Sequence, residues 1–142
     1  MEYNMQQFHR DFMERTNTLL HTYQGNNDAT MLLNCMIGLL IVPNERLLSQ
    51  LPDEPLLYSE RWGIQLEYIL SIDRNQADDR STCSLLWFVR KLRNAVAHFN
   101  ILPIHENSKV TGFELWDKKG FRAYLPLQAI RHFCQQILQQ LC

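Results

Sequence analysis

The sequence predicts a mainly α domain: a four-helix up-and-down bundle with a small antiparallel β-hairpin insert before the last helix. Three observations carry that expectation. Apolar residues recur at helical spacing in four separate stretches. Polar or proline-containing breaks divide those stretches from one another. Only after about residue 100 does the pattern change to short β-rich runs, "NILPI", "VTGFELW" and "FRAYL". The chain has 142 residues, without an internal repeat or low-complexity tract, so residues 1–142 are expected to form a single domain.

The first helix is expected over about residues 4–24, with Met5, Phe8, Phe12, Leu19 and Tyr23 along one stripe. "GNND" breaks it, and Asp28 suits the N-cap of a second helix. That helix, "MLLNCMIGLLIV", is apolar nearly all round and stops at Pro43, so it should be the most buried element. Gly38 within it should let a neighbour pack closely. Residues 44–80 resist assignment. "NERLLSQL" reads as a short helix, "LPDEP" and "DRNQADDRS" as loops, and "IQLEYIL" fits a strand or a helix. So long a connection is often a lid or a substrate-contacting insertion. The third helix should run from Ser81, as N-cap, to Phe99. "DKKG" reads as the turn joining the last two strands. The final helix, about 126–141, opens on Pro126 and buries Leu127, Ile130, Cys134, Ile137, Leu138 and Leu141, with glutamines facing water.

Composition narrows the function. With 46% apolar residues, 20% charged residues and a net charge of -1, the chain has no global positive field to gather polyanions. Nucleic-acid binding would need a local patch. Cys35, Cys83, Cys134 and Cys142 are scattered singly, without a C-x-x-C pair; neither a disulfide framework nor a zinc site emerges, and a reducing cytoplasmic location is expected. The N-terminal stretch lacks the apolar core of a signal peptide. The longest apolar run, residues 31–42, is too short to cross a bilayer, so no membrane partner is expected. His105 and His132 lack carboxylate or cysteine neighbours at ligand spacing, and "DRNQADDR" lacks the Gly and Glu of a calcium loop. There is no glycine-rich phosphate loop and no G-x-S-x-G. Neither metal nor cofactor is expected.

The informative stretch is "RKLRNAVAHF", residues 90–99. At about 100° per residue, Leu85, Phe88, Val89, Leu92, Val96 and Phe99 form a core face. Asn94 lies almost opposite, flanked within roughly 40° by Arg90 and His98, with Arg93 nearer the boundary. His98 is one turn beyond Asn94, so their side chains can meet. Leu86, Trp87 and Ala97 share this outer face, and an apolar patch of that kind usually meets another surface. Two coverings are open: a second copy of the helix, making Leu86, Trp87 and Ala97 a dimer interface, or residues 44–80 folded back. The expectation favours the second copy. Arg15 and His21, separated by five residues, are a near match to the same pattern, but no Asn follows Arg15.

"LRNAVAH" resembles the R-N-x-x-x-H signature of the HEPN superfamily (higher eukaryotes and prokaryotes nucleotide-binding domain), with Arg93 to His98 carrying the match. A small helical domain with the signature late in a long helix, "GLLIVP" in helix two and the hairpin after "AHFNI" are similar to the small stand-alone bacterial members. Residues 44–80 carry no family signature. The resemblance implies a HEPN-like bundle and a metal-independent endoribonuclease, working as a homodimer whose facing motifs build one cleft. It further implies a toxin or antiviral defence role, RNA as substrate and an antitoxin protein as a possible partner, with Arg93, Asn94 and His98 as the catalytic trio.

The residue chemistry is coherent by itself. A 2′-hydroxyl attacking the adjacent phosphorus is a tethered nucleophile and needs no metal. Histidine moves the proton near neutrality. A guanidinium stabilises charge on the phosphoryl oxygens, and asparagine can hold imidazole or phosphate in register. Which histidine acts as base and which as acid stays open. Arg90 and Lys91 are expected to contact flanking phosphates or to solubilise the helix.

Overall fold

The computed structural model describes residues 5–23, 28–43, 48–56, 60–73 and 83–141. Four helices, α1 (Met5–Thr22), α2 (Asp28–Ile41), α3 (Leu85–Ala97) and α4 (Leu127–Leu141), accompany four strands: β1 (Ile69–Ser71), β2 (Ile101–Glu106), β3 (Lys109–Trp116) and β4 (Arg122–Pro126). No helix among the described residues is long and apolar enough to cross a membrane.

The expected up-and-down bundle with a hairpin insert is corrected. The strands form one four-stranded antiparallel sheet in the order β1-β4-β3-β2, and α2, α3 and α4 all contact β3. The fourth strand comes from the unassigned middle of the chain, where Ile69 pairs with Ala123 and Ser71 with Arg122. The alternating stretch "IQLEYIL" resolves into a single 3-10 turn, Leu66–Tyr68, followed by this strand. Three residues are too few for alternation to outweigh a helical reading; pairing with β4 decides it.

A two-residue turn, Asn107-Ser108, joins β2 to β3 with φ of 53° and 68°. Two central residues with positive φ match the twist of a tight hairpin. β2 is an edge strand and carries Pro103, a residue tolerated at edges because it has no N–H to give a ladder.

α2 buries Met31, Leu32, Cys35, Met36, Leu39 and Leu40, but it is not the most buried element as expected: Ile41 is exposed, Leu33 and Ile37 are half-buried, and α3 buries as many residues in a shorter helix. A Cβ at Gly38 would collide with the Phe12 ring, so this glycine permits the close approach of α1. The stripe expected on α1 is rotated: Met13, Thr16 and Leu20 are buried, whereas Phe8 and Leu19 are exposed. α1 packs chiefly on α2 and α4 among the described residues, and Arg131 secures it by donating to the Leu20 carbonyl at 2.9 Å. In α4, Ala129 and Phe133 join the expected Ile130, Cys134, Ile137 and Leu138.

The described part of the long connection is wall rather than lid. Leu48, Leu51, Leu56, Trp62, Ile64, Ile69 and Ile72 are all buried. Residues 44–47, 57–59 and 74–82 lie outside the described residues, and with them the expected Ser81 cap. A chain of edge-on aromatic contacts crosses the core from Trp62 to Phe133, Phe88, Phe121 and Trp87, with centroids 5.6 to 6.4 Å apart. Each such pair adds roughly 0.5–1.5 kcal/mol beyond area burial. The ladder ties the middle segment, α4, α3 and the β3–β4 loop together.

Candidate active site at the end of the third helix

α3 begins at Ser84, whose Oγ accepts from the Trp87 N–H at 3.3 Å. Its first turn is also pinned from outside the helix, because the Leu85 N–H donates to the Glu54 carbonyl and the Leu56 N–H donates to the Cys83 carbonyl. Leu85, Phe88, Val89, Leu92, Ala95 and Val96 face the core.

Midway along, Lys91 meets Asp117 at 2.8 Å. Asp117 is an organising residue of the β3–β4 turn. Its Oδ1 accepts from the Lys119 and Phe121 N–H groups at 2.8 and 2.9 Å, while Oδ2 takes the Lys91 ammonium. Burial pushes this carboxyl's pKa up. The Lys91 hydrogen bond and the two backbone donors outweigh that push and hold it below the ordinary carboxylate value. The "DKKG" turn is therefore locked onto the flank of α3, with Gly120 at φ 106°. Lys91, expected to touch substrate, is committed to Asp117.

The expected outer apolar face is partly open in the single chain. Trp87 is half-buried against Phe121, with an interplanar angle of 86°. Leu86 is half-buried and shares a small recess with Leu48, Ser49, Val89, Arg90 and Arg93. Leu86 and Trp87 thus pack partly on the chain's own core. Ala97 remains exposed.

The last turn is different. His98 is the C-cap residue; the Asn100 N–H donates to the Ala95 carbonyl and the Phe99 N–H to the Val96 carbonyl, which together form a Schellman ending. That ending places a left-handed residue at position 99, where glycine is usual. Here it is Phe99, with φ 57° and 79% exposure. The expectation that Phe99 anchors the helix in the core fails for this reason: helical projection no longer applies once the backbone turns left-handed. Ala95 takes the core position instead.

Asn94 and His98, one helical turn apart, are both exposed. Arg90 is exposed and Arg93 half-buried beside Leu48. Among the described residues, no hydrogen bond or ion pair engages the side chains of Arg90, Arg93, Asn94 or His98. Four polar groups, two of them cationic, are thus grouped at the end of a helix whose other face is locked. His105 is exposed on β2, and His132 donates through Nε2 to the Arg61 carbonyl at 2.6 Å. Among the described residues, no three His, Cys, Asp or Glu side chains cluster as a metal would require. Sequence reasoning missed Asp117. Its signal was the Asp at the head of a Gly-ended turn, a residue type that caps backbone N–H groups.

Across its whole length, residues 1–142, the chain matches the family described as HEPN pEK499 p136. No curated protein and no solved structure matches it. The chain belongs to the HEPN superfamily and is, in that general sense, a HEPN-type nuclease or nucleotide-binding module.

Proposed function

We propose that this protein is a metal-independent endoribonuclease that acts as a toxin or antiviral defence effector. The observation that carries the reading is the pairing of exposed Asn94 and His98 on the last turn of α3, with Arg93 beside them and no internal partner for any of the three among the described residues. The 2′-hydroxyl of RNA attacks the neighbouring phosphorus, and the 5′-oxygen leaves. His98 accepts the 2′-hydroxyl proton or supplies the one the leaving oxygen takes. Arg93 stabilises the charge gathering on the phosphoryl oxygens. Asn94 holds the imidazole or the phosphate in register. Arg90 contacts a flanking phosphate, while Lys91 serves by holding Asp117.

In a homodimer, the ends of two α3 helices face each other around Ala97, whose small side chain allows close approach. Two histidines then share the base and acid roles in one composite cleft. An antitoxin protein is a natural partner for such an exposed site.

Purified protein is expected to cleave single-stranded RNA in EDTA, leaving a 2′,3′-cyclic phosphate. DNA of the same sequence, lacking the 2′-hydroxyl, should survive. Undiminished cleavage by Arg93→Ala and His98→Ala proteins would sink the assignment. Mixing those two variants should restore one cleft per exchanged dimer; no recovery after proven exchange points to sites built within one chain. In cells, induction of the wild type, but not of His98→Ala, should halt growth with loss of RNA.

A second reading is favoured by the scarcity of free cations: the net charge is -1 and Lys91 is spent on Asp117. On that reading the trio binds nucleic acid, a nucleotide or a protein without turnover. Saturable binding with no cleavage product would select it.

A further inference from the structure

We infer that Phe99 is the stacking platform for the nucleobase beside the scissile phosphate, an inference that rests on the ribonuclease reading above. Two local costs meet at this residue. Its backbone sits at φ 57°, a region bulky L-residues avoid, and its ring is 79% exposed to water. Among the described residues, packing compensates for neither. A glycine would satisfy the Schellman ending without strain, and asparagine, which tolerates this conformation, stands at the very next position. Strain that the surroundings hold in place without packing reward points to use.

The position suits one use well. Phe99 follows His98 directly, and two backbone hydrogen bonds, to Val96 and Ala95, fix the turn that presents it. The chemistry also calls for an uncharged contact. Lys91 is neutralised by Asp117, which leaves Arg90 and the trio's own Arg93 as the guanidiniums at this helix end. Two guanidiniums at the helix end give only a shallow electrostatic contribution to RNA binding. An aromatic face adds affinity without charge and accepts any base, because every base has a π-face.

The test compares Phe99→Gly, Phe99→Leu and Phe99→Tyr, each made both in the wild type and in a His98→Ala background. The probe is a single-stranded RNA oligonucleotide carrying 2-aminopurine. Glycine suits φ 57°, so Phe99→Gly should fold at least as well as the wild type. Phe99→Gly and Phe99→Leu are expected to weaken RNA binding about tenfold, the lower part of the range for losing one stacked base. KM should rise with little change in kcat, and the 2-aminopurine quenching on binding should disappear. Phe99→Tyr should restore all three readouts. Wild-type affinity and quenching in Phe99→Gly would overturn the platform while leaving the ribonuclease reading intact. Dissociation of a dimer by Phe99→Gly would assign the ring to a contact between copies and overturn the platform too. Failure of the wild type to bind or cleave RNA would overturn both.

Discussion

From Leu85 to Leu92, α3 is gripped by Glu54 and Leu56 at its start, by Trp87 on Phe121 and by Lys91 on Asp117. From Asn94 to His98 its outer side is bare, and the helix ends on an exposed aromatic. The contrast shows how one helix serves two purposes. The gripped part sets direction, and the bare part inherits that direction without spending its own side chains. Side chains on such an end are presented in a fixed place because the ordering happened elsewhere.

The comparison can be broken most severely at its bare end. His98→Ala should lower RNA cleavage by roughly 10²–10⁴-fold, while stability stays within about 0.5 kcal/mol, as for an exposed surface position. A His98→Ala protein that unfolds early would show that the end is structural after all. At the gripped part the reverse is expected: Phe88→Ala, emptying the middle of the aromatic ladder, should cost about 3–5 kcal/mol in urea denaturation. A loss below about 1 kcal/mol would mean the ladder is not what holds the helix.

Asp117→Asn sharpens the picture with pH. The folded carboxyl titrates below its ordinary value because the Lys91 ammonium and two backbone N–H groups favour the charged form over the opposing effect of burial. Its contribution is therefore complete above about pH 4, the unfolded value, and is lost as pH falls through the lowered folded value. The variant should be less stable at pH 7 by on the order of 1–3 kcal/mol. Its stability should then fall less steeply than that of the wild type below about pH 4. Parallel acid limbs would remove Asp117 from the account. The smallest effect runs the other way. Phe99→Gly should raise stability by about 1 kcal/mol by relieving the left-handed backbone, and a drop in melting temperature would show that the ring packs on something.

The sequence was legible where one face of an element alone decided its place. α4 shows one clean stripe and buries most of it, whereas the nearly all-apolar α2 buries one side and leaves Ile41 exposed. Leu85, Phe88, Val89 and Leu92 on α3 follow the same logic. It was less legible where tertiary partners decide. β1 exists because β4 offers an edge, which no local pattern announces. That Trp87 and Leu86 are half-buried by the chain itself was not visible, because Phe121 and Leu48, which they meet, are far away in sequence. Lys91 read as a free cation for the same reason; its partner is 26 residues away. Phe99 misled because the helical wheel was carried one residue past the C-cap. Arg93, Asn94 and His98 were picked out by residue type and spacing, and no fold detail was needed to see them together.

Pro103 bears on assembly. A sheet whose outermost strand offers a full row of donors invites the next molecule, and the next, into an open-ended filament. The proline on β2 interrupts that row, since it has no N–H to offer a newcomer. Growth by strand addition is discouraged at the border of the sheet nearest the end of α3. A strand arriving at that border would meet a gap in the row of donors.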